Sequence, residues 1–416
     1  MKPARPPEEL LKERTKRVAD AIQVKVPDRV PIIPFFAFFP TKYAHITCQD
    51  AFYDAVKWKS ACRQTIVDLE PDMHSVASIV PGPVLDALEC QQVKLPGHGV
   101  SPHSTHQFVE QEYMKPDEYE AFLYDLSDYA VRTYTPRIYG TLGALSKFPP
   151  LSYLLFGYSE AMATEVLTEP EFVHAFDSLA KAGHEMITWN AVMGTFNQEM
   201  IELGFPAYSA SRTLVPYDLL SDYHRGMRGS MIDLYRQPDK VLEACQRLLP
   251  LSIDKGISAA KKSGNPRIFI PLHRGAEGFM SLKQFETFYW PSLKKLILAV
   301  IESGLTPCPF FEGDYTSRLE YLLELPKGKV MAYFDTTDLF RAKQILGNHM
   351  CIMGNVPASI LQTGTPQDVK DCCKKLIDVV GKNGGYIMAP RGAIDEARPE
   401  NVRAMFDFTR EYGVYR

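Results

Sequence analysis

The 416-residue sequence lacks a strong charge of either sign, a Cys-x-x-Cys pair and any apolar run long enough to span a membrane. Its 46 basic residues are nearly matched by 50 acidic residues, which gives a formal net charge of -4. Nucleic-acid-binding proteins carry a clustered basic surface, so this balance argues against a nucleic-acid partner. The amino-terminal segment has no apolar core of signal-peptide length, and we expect no membrane association.

Structural disulfides are not indicated either. The 8 cysteines are scattered, and the adjacent pair Cys372 and Cys373 lies in a helical pattern that is poorly placed to form a disulfide. Reduced thiols are typical of the cytoplasm, so the sequence predicts a cytoplasmic protein. A Gly-x-Gly-x-x-Gly turn is absent after the first apolar run, which counts against an open, doubly wound dinucleotide-binding sheet.

Short apolar runs that end in turn residues recur and alternate with segments of helical periodicity, which indicates a parallel sheet of strand–helix units. Two runs are weak, Met73 to Ser78 and Gly140 to Leu145. The clear runs are Val30 to Phe35, Arg267 to His273, Thr306 to Gly313, Lys329 to Asp335, His349 to Asn355 and Gly385 to Pro390. Eight strands alternating with helices predict a (β/α)8 TIM barrel, with the doubly wound sheet as the alternative.

We expect a single domain over residues 1–416, because barrels with insertions reach this length. The stretch of about 146–266 is too long for one connecting helix. It therefore predicts a helical insertion after the third strand, Gly140 to Leu145. Such helices would cover the barrel mouth or form a subunit contact, and a homodimer is one assembly that the sequence leaves open.

Polar side chains follow at least five consecutive strand candidates. In a barrel of this kind the loops after the carboxyl ends of the strands meet at one face, where the chemistry is found. The residues at these positions are His273, Arg274, Glu312, Asp314, Tyr315, Asp335, Asp338, Asn355 and Arg391. A single His or Asp at a strand end more often caps a helix or binds backbone amides, so Asp335 and Asn355 also have that simpler interpretation.

Glu312 directly follows Phe310 and Phe311, so its carboxylate is expected to be partly removed from water and to need a cation or a proton. His273, Glu312 and Cys308 are residue types that bind metals. Strand alternation places Cys308 on the same face as Glu312. A metal site made of these three is one hypothesis, and a small buried core residue is the other interpretation of Cys308.

The segment "VPYDLLSDYHRG" adds Asp218, Asp222, His224 and Arg225. Helical spacing places Asp218 and Asp222 on one face, where they repel unless a cation, an arginine or a substrate amine lies between them. Asp218 and Arg225 are candidates for substrate binding. A solvated helix face is the alternative interpretation.

Two stretches near the carboxyl end, "MGNVPASILQTGTPQDV" and "GGYIMAPRGAIDEARPENVRAMFDF", resemble the paired signature of the uroporphyrinogen decarboxylase superfamily. The resemblance extends from roughly Arg267 to the end and implies a (β/α)8 barrel. The superfamily contains tetrapyrrole decarboxylases and methyltransferases that work with a corrinoid protein. The decarboxylases grip their substrate with an arginine-rich amino-terminal segment, whereas the matching "PIIPFFAFFPTKYAH" has no arginine, which disfavours a porphyrinogen substrate.

The thiol-activating methyltransferases of the superfamily bind zinc through a His-x-Cys pair and a later cysteine. The aligned positions here are Phe310 to Glu312 and Pro390 to Ala393, and both cysteines are missing. The resemblance therefore implies the branch that removes methyl groups from methoxy-type compounds, with any Zn²⁺ held by Glu312 and His273.

The resemblance thus implies a methyltransferase that passes a methyl group from a small methylated substrate to the Co(I) corrinoid of a separate protein. The expected catalytic residues are Glu312, His273, Asp335 and Tyr315. The expected substrate-binding residues are Arg391, Asn355, Asp314, Arg225 and Asp218. The alternative is a lyase that decarboxylates a small carboxylic acid held by Arg391, Arg274 or Arg225.

Overall fold

Six parallel strands form the main sheet, and they are hydrogen-bonded to one another in the order in which they occur along the chain. The structure is a computed structural model that describes residues 5–415, with the side chains of residues 159, 160, 162 and 163 set aside. The six strands are Ser211–Arg212, Arg267–Leu272, Thr306–Phe311, Met331–Phe334, Cys351–Met353 and Tyr386–Ile387.

Two further extended segments, residues 30–37 and 72–77, close this sheet into a ring. Ile32 forms a parallel bridge with Met388 at one side of the gap, and His74 forms a parallel bridge with Ala207 at the other. A parallel bridge between Ala37 and Val76 joins the two segments to each other. Within the described residues, eight parallel segments therefore surround one interior, which confirms the predicted (β/α)8 barrel.

The third barrel strand is not where the sequence predicted it. Gly140–Lys147 is a 3-10 helix, so the predicted strand from Gly140 to Leu145 is wrong. Its buried side chains Leu142 and Ala144 pack in the insertion, where Leu142 meets Ala175 of a long helix. A short apolar run of this kind fits a strand and a buried helix equally well. The third strand ends at Ser211–Arg212, so the helical insertion follows the second strand rather than the third.

Helices cover the outside of the ring and build the insertion. The α-helices are Pro7–Ile22, Phe39–Tyr43, Cys48–Tyr53, Ala55–Leu69, Gly82–Ala87, Tyr119–Tyr124, Leu126–Tyr129, Thr135–Ile138, Pro170–Met193, Phe196–Glu202, Pro216–Leu219, Gly226–Arg236, Pro238–Ser263, Leu282–Gln284, Trp290–Glu302, Leu339–Leu346, Ala358–Thr363, Pro366–Val379 and Pro399–Tyr412. The 3-10 helices are Pro116–Glu118, Gly140–Lys147, Leu151–Thr168 and Thr316–Glu324, and the π-helices are Ala130–Tyr134, Leu220–Arg225 and Phe285–Tyr289. The insertion also holds a small sheet of Val93–Pro96, Gly99–Val100 and Gln107–Phe108.

Two apolar cores follow from this layout. One lies between the strands and the surrounding helices, and the other fills the barrel itself. The interior core contains Ile33, Cys308, Phe310, Met331 and Tyr333, because alternate residues of each strand point into the ring. Among residues 5–415, no helix has both the length and the apolar character needed to cross a membrane.

Candidate active site

The first inward-pointing residues beyond the strand ends lie at the barrel mouth. In the paired strands Phe310 lies opposite both Pro271 and Tyr333, so two residues further along the chain come His273, Glu312 and Asp335. Strand alternation gives these three side chains the same inward orientation as the residues below them. The structure thus brings together the residues from three consecutive strands that the sequence predicted as catalytic.

His273 lies between two carboxylates. Its Nδ1 atom is hydrogen-bonded to Asp222 Oδ2, and its Nε2 atom is 3.5 Å from Glu312 Oε1. The side chain of His273 is 22% exposed and that of Glu312 is 41% exposed, so the Nε2 edge of the ring faces the open mouth. Nδ1 is therefore held by the buried side of the site, while Nε2 lies beside the more exposed Glu312.

A buried carboxylate supports this arrangement from behind. Asp218 is 0% exposed, and its Oδ2 atom accepts hydrogen bonds from the backbone N–H of His273 at 2.9 Å and the hydroxyl of Tyr289 at 2.6 Å. Its Oδ1 atom accepts from the backbone N–H of Arg274 at 3.0 Å. Asp218 thereby fixes the backbone of the two residues that follow the fourth strand.

Arg274 also links the end of the fourth strand to the π-helix Leu220–Arg225. Its Nε donates to Ser221 Oγ at 3.0 Å and its terminal nitrogen donates to Asp222 Oδ1 at 3.0 Å. The cation that the sequence required between Asp218 and Asp222 is thus supplied by the chain itself, through His273 and Arg274. The sequence signal for this contact was the spacing of the two aspartates, although it did not identify the partner.

The charges around His273 keep its imidazole protonated. Burial alone would lower the pKa of His273, but the hydrogen bonds to Asp222 and Glu312 and the charge of Asp218 outweigh burial and raise the pKa to about 10. Burial raises the pKa of Asp218, against the opposing charge of His273. At neutral pH the mouth therefore holds an imidazolium whose Nε2–H lies next to the Glu312 carboxylate.

This charge arrangement predicts a pH dependence of stability. Because folding raises the pKa of His273 from 6.5 to about 10, its contribution is complete below the lower value and is lost as pH rises through the upper one. We expect the stability difference between the wild type and His273→Gln, measured from urea unfolding curves, to be largest near pH 6 and to shrink towards about pH 10. A difference that stays constant over this range would show that His273 is neutral in the folded protein.

The carboxyl-terminal half of the chain is similar to a known protein family. Residues 211–412, just under half of the chain, match the family model of uroporphyrinogen decarboxylase (URO-D). Residues 211–412 are therefore similar to the URO-D family, and we call them the URO-D segment. Asp218, His273, Glu312, Asp335 and Arg391 all lie within it, so the URO-D segment supplies every polar residue of the mouth described here.

Individual relatives of the URO-D segment are distant. The uroporphyrinogen decarboxylases of Syntrophotalea carbinolica and Trichodesmium erythraeum are 26% and 28% identical over 131 and 137 residues, which is 31% and 32% of this chain. The chain matches 37% and 38% of the length of these curated relatives. A methyltransferase from Methanosarcina mazei has the same fold, with a TM-score of 0.62 and 13% identity over 96% of this chain and 98% of that one.

Three of the residues predicted for the site form hydrogen bonds with the loops at the mouth. Tyr315 is buried, and its hydroxyl donates to the carbonyl of Leu272 at 3.3 Å. Asp314 is exposed and accepts hydrogen bonds from the N–H of Thr316 at 2.8 Å and from its hydroxyl at 2.6 Å, just before the following 3-10 helix. Asn355 Nδ2 donates to the carbonyls of residues 335 and 337 at 2.8 and 3.0 Å. Each of the three thus makes at least one hydrogen bond to the loops at the mouth.

Arg225 and Cys308 lie away from His273. Arg225 is 1% exposed and binds Asp233 at 2.6 Å and Glu112 at 3.1 Å, which joins the insertion to the helix after it. Cys308 is buried in the barrel interior, where its thiol donates to the carbonyl of Thr306, and burial raises its pKa to about 12. It lies four residues before Glu312, which is about 13 Å along an extended strand.

The donor set does not fit a resident zinc ion. Zinc sites in proteins use three or four protein ligands, and with Nδ1 bound to Asp222 the His273 ring can offer one nitrogen, Nε2. The structure does not bring Cys308 to the remaining pair, His273 Nε2 and Glu312. In the described part of the chain no group of three or more His, Cys, Asp or Glu side chains is placed to hold a metal.

Proposed function

We propose that this protein is a methyltransferase that moves a methyl group from a small methoxy-type substrate to the Co(I) corrinoid of a separate protein. The observation that carries the proposal is the position of the His273 ring at the barrel mouth, held by Asp222 and adjacent to Glu312, and the raised pKa of His273 supports it. The similarity of residues 211–412 to the URO-D family and the fold shared with a methyltransferase support an enzyme built on this barrel.

The reaction consumes one proton and needs no additional oxidant or reductant. A methyl ether reacts when the electron pair of Co(I) forms a bond to the methyl carbon and the carbon–oxygen bond breaks. The electron pair of the broken bond stays on oxygen, which takes a proton and leaves as a hydroxyl group. Ether oxygens are poor leaving groups without that proton, so a positioned acid is the main contribution that the protein has to make.

His273 has the properties of that acid. Its Nε2–H edge faces the mouth, and the fixed Nδ1–Asp222 contact sets the orientation of the ring. Glu312, 3.5 Å from Nε2, stabilises the imidazolium before transfer, and the imidazole of His273 takes up a proton from solvent afterwards. Asp218 acts as a positioning residue, because it touches the backbone of His273 and Arg274 rather than the substrate.

An absorbance assay tests the proposal. Full-length protein is mixed under anaerobic conditions with cob(I)alamin, as a soluble methyl acceptor, and with a panel of O-, N- and S-methyl compounds. We expect methylcobalamin to form from a methoxy compound together with one equivalent of the hydroxyl product, and not to form without protein. Absence of methylcobalamin with every donor would refute the proposal.

The alternative is a decarboxylase that acts on a small carboxylic acid. Two observations favour it: the curated relatives are uroporphyrinogen decarboxylases, and Arg391 supplies a guanidinium that suits a carboxylate. Release of CO2 from a small acid without any methylated cobalt would establish this alternative in place of methyl transfer. A homodimer, a cytoplasmic location and a single domain over the whole chain stay predictions.

A further inference from the structure

The long insertion helix Pro170–Met193 is apolar on two sides. One side packs against the rest of the insertion and contains Phe172 and Ala175, both 0% exposed. The second side is a line of five residues at alternating spacings of three and four, the pattern of a seam that packs against another helix. These residues are Val173, Phe176, Ala180, Gly183 and Ile187, and we call them the exposed stripe.

The exposed stripe is open to solvent in the single chain. Ile187 is 69% exposed, Val173 is 47% exposed and Phe176 is 44% exposed. A Cβ atom placed on Gly183 would meet no neighbouring segment within 4 Å in the described part of the chain. Solvent-facing sides of helices are normally polar, so a line of apolar and small residues indicates a side that packs against another molecule.

The 3-10 helix Leu151–Thr168, which contacts the long insertion helix, adds further exposed apolar side chains. They are Tyr153, Leu154, Leu155, Phe156 and Tyr158, which are from 49% to 95% exposed. Together with the exposed stripe they present roughly 1,000 Å² of apolar surface. The largest apolar patch of a monomer is usually about 300–600 Å², and a dimer interface of standard size covers about 800 Å² on each partner. The insertion therefore has enough apolar surface for a stable dimer.

The side-chain sizes along the exposed stripe are symmetric about its centre. The small residues Ala180 and Gly183 lie in the middle, and the larger residues Phe176 and Ile187 lie outside them. When two copies of this helix cross in opposite directions about a two-fold axis at the centre, each Ala180 faces Gly183 of the other copy, and each Phe176 faces Ile187. Crossing helices are closest at the crossing point and diverge away from it, so small residues fit the middle and larger residues fill the ends. The exposed stripe is thus complementary to a second copy of itself.

Polar side chains along one edge of the exposed stripe match in the same arrangement. Asp177 and His184 are both exposed, and their spacing of seven residues places them on the same edge, two helical turns apart. With the two helices opposed, Asp177 of each copy lies beside His184 of the other. The Nδ1 atom of His184 is 2.7 Å from the carbonyl of Ala180 in its own helix, so Nε2 is the ring atom left for the carboxylate of the second copy. One carboxylate–imidazole contact therefore forms on each side of the axis.

We infer that the exposed stripe binds the exposed stripe of a second copy, which makes the protein a two-fold dimer held together by its insertion helices. The helices run in opposite directions, with Phe176 and Ile187 in contact at both ends and Asp177 and His184 in contact twice along one edge. Helix Pro170–Met193 lies outside residues 211–412, so the similarity to the URO-D family does not include this surface. The inference is independent of the proposed methyl transfer.

Analytical ultracentrifugation of the full-length protein tests the dimer. We expect the wild type to sediment with the mass of two chains. Ile187→Glu buries two unpaired charges, one from each copy, and should weaken the dimer by about 100-fold or more. Val379→Glu, at an exposed position of helix Pro366–Val379, is the matched control and should keep the wild-type dissociation constant within about twofold. The circular dichroism spectra of both variants should equal that of the wild type, because both side chains are exposed in the single chain.

An exchange of charges tests the direction of the two helices. His184→Glu places a second carboxylate beside Asp177 of the other copy and should weaken the dimer by about 2- to 30-fold. Addition of Asp177→Lys to the same chain should restore the wild-type dissociation constant, because each lysine then meets a glutamate of the other copy. Within one helix the two positions are about 10 Å apart, so the restoration reports a contact between copies.

A wild type that stays monomeric at about 50 µM would overturn the inference and leave the exposed stripe to a different protein. A dimer that Ile187→Glu leaves intact would overturn it as well, since the two copies would then be joined elsewhere. A double variant that dimerises no more tightly than His184→Glu alone would overturn the opposed arrangement of the helices. Equal weakening by Val379→Glu and Ile187→Glu would show that the effect is not specific to the exposed stripe and would also contradict the inference.

Discussion

His273→Gln is expected to lower the rate of methyl transfer from a methoxy substrate by about 10²- to 10⁴-fold, the usual contribution of a positioned proton donor. Glutamine is similar in size and keeps a hydrogen bond to Asp222, but it carries no transferable proton. The loss should appear in kcat more than in KM, because the proton matters most as the carbon–oxygen bond breaks. Initial rates of methylcobalamin formation at several substrate concentrations measure both constants.

His349→Gln is the matched control. His349 precedes the seventh strand at the opposite end of the barrel, and its Nε2 atom contacts the carbonyl of Leu325 at 2.7 Å. We expect this variant to keep the wild-type rate within about twofold, since no catalytic group contacts it. A rate for His273→Gln similar to that of the control would contradict the role of His273 as the acid.

Asp218→Asn is expected to destabilise the fold by about 3 kcal/mol and to abolish most activity. The Asp218 carboxylate accepts three hydrogen bonds, from His273 N, Arg274 N and the Tyr289 hydroxyl. An asparagine side chain has one acceptor oxygen, and its NH2 group would face a backbone N–H or the tyrosine hydroxyl. At least one buried donor then loses its acceptor, and the negative charge beside His273 disappears. Urea unfolding followed by circular dichroism measures the change.

Asp314→Asn provides the comparison for this stability measurement. Asp314 is exposed and accepts from the N–H of Thr316, a turn contact that the side-chain oxygen of asparagine makes as well. The expected change is within about 0.5 kcal/mol. If Asp218→Asn were as mild as Asp314→Asn, the account of Asp218 as the anchor of the fourth strand end would be wrong.

The barrel was predictable because its strands are buried on both faces. The runs that end at Phe35, His273 and Glu312 are continuous and apolar, as parallel strands inside a ring of helices have to be. The third strand carries no such signal, because Ser211–Arg212 is short and polar and lies in "YSASRT". The run from Gly140 to Leu145 was predicted as the third strand instead. The insertion was therefore predicted after the third strand, although it follows the second.

The residues of the candidate site that follow directly after strands could be predicted from the sequence. The contacts between distant segments of the chain could not. His273 and Glu312 come after strands, so the barrel rule locates them at the mouth. The contact between Asp222 and His273 joins residues 51 positions apart, and no local pattern predicts it. With the third strand ending at Ser211–Arg212, Asp222 also follows a strand end, so a correct strand assignment would have placed it at the mouth.

The position of Cys308 shows that strand alternation predicts the face of a residue but not its depth in the barrel. Alternation correctly places Cys308 and Glu312 on the same face of their strand, since both point into the barrel. It does not give depth, and a separation of four residues puts the thiol about 13 Å below the mouth. Two residues that share a face of a strand are therefore candidates for one site only when they are neighbours along it.

The protonation state of His273 is the central claim, and nuclear magnetic resonance of the ring nitrogens in ¹⁵N-histidine-labelled protein tests it most directly. His273→Gln identifies the signals. The account predicts that both ring nitrogens of His273 carry protons at neutral pH and titrate only as the pH approaches about 10. A ring that loses its proton near its ordinary pKa of 6.5 would contradict the account, because the mouth would then hold no acid for the leaving oxygen.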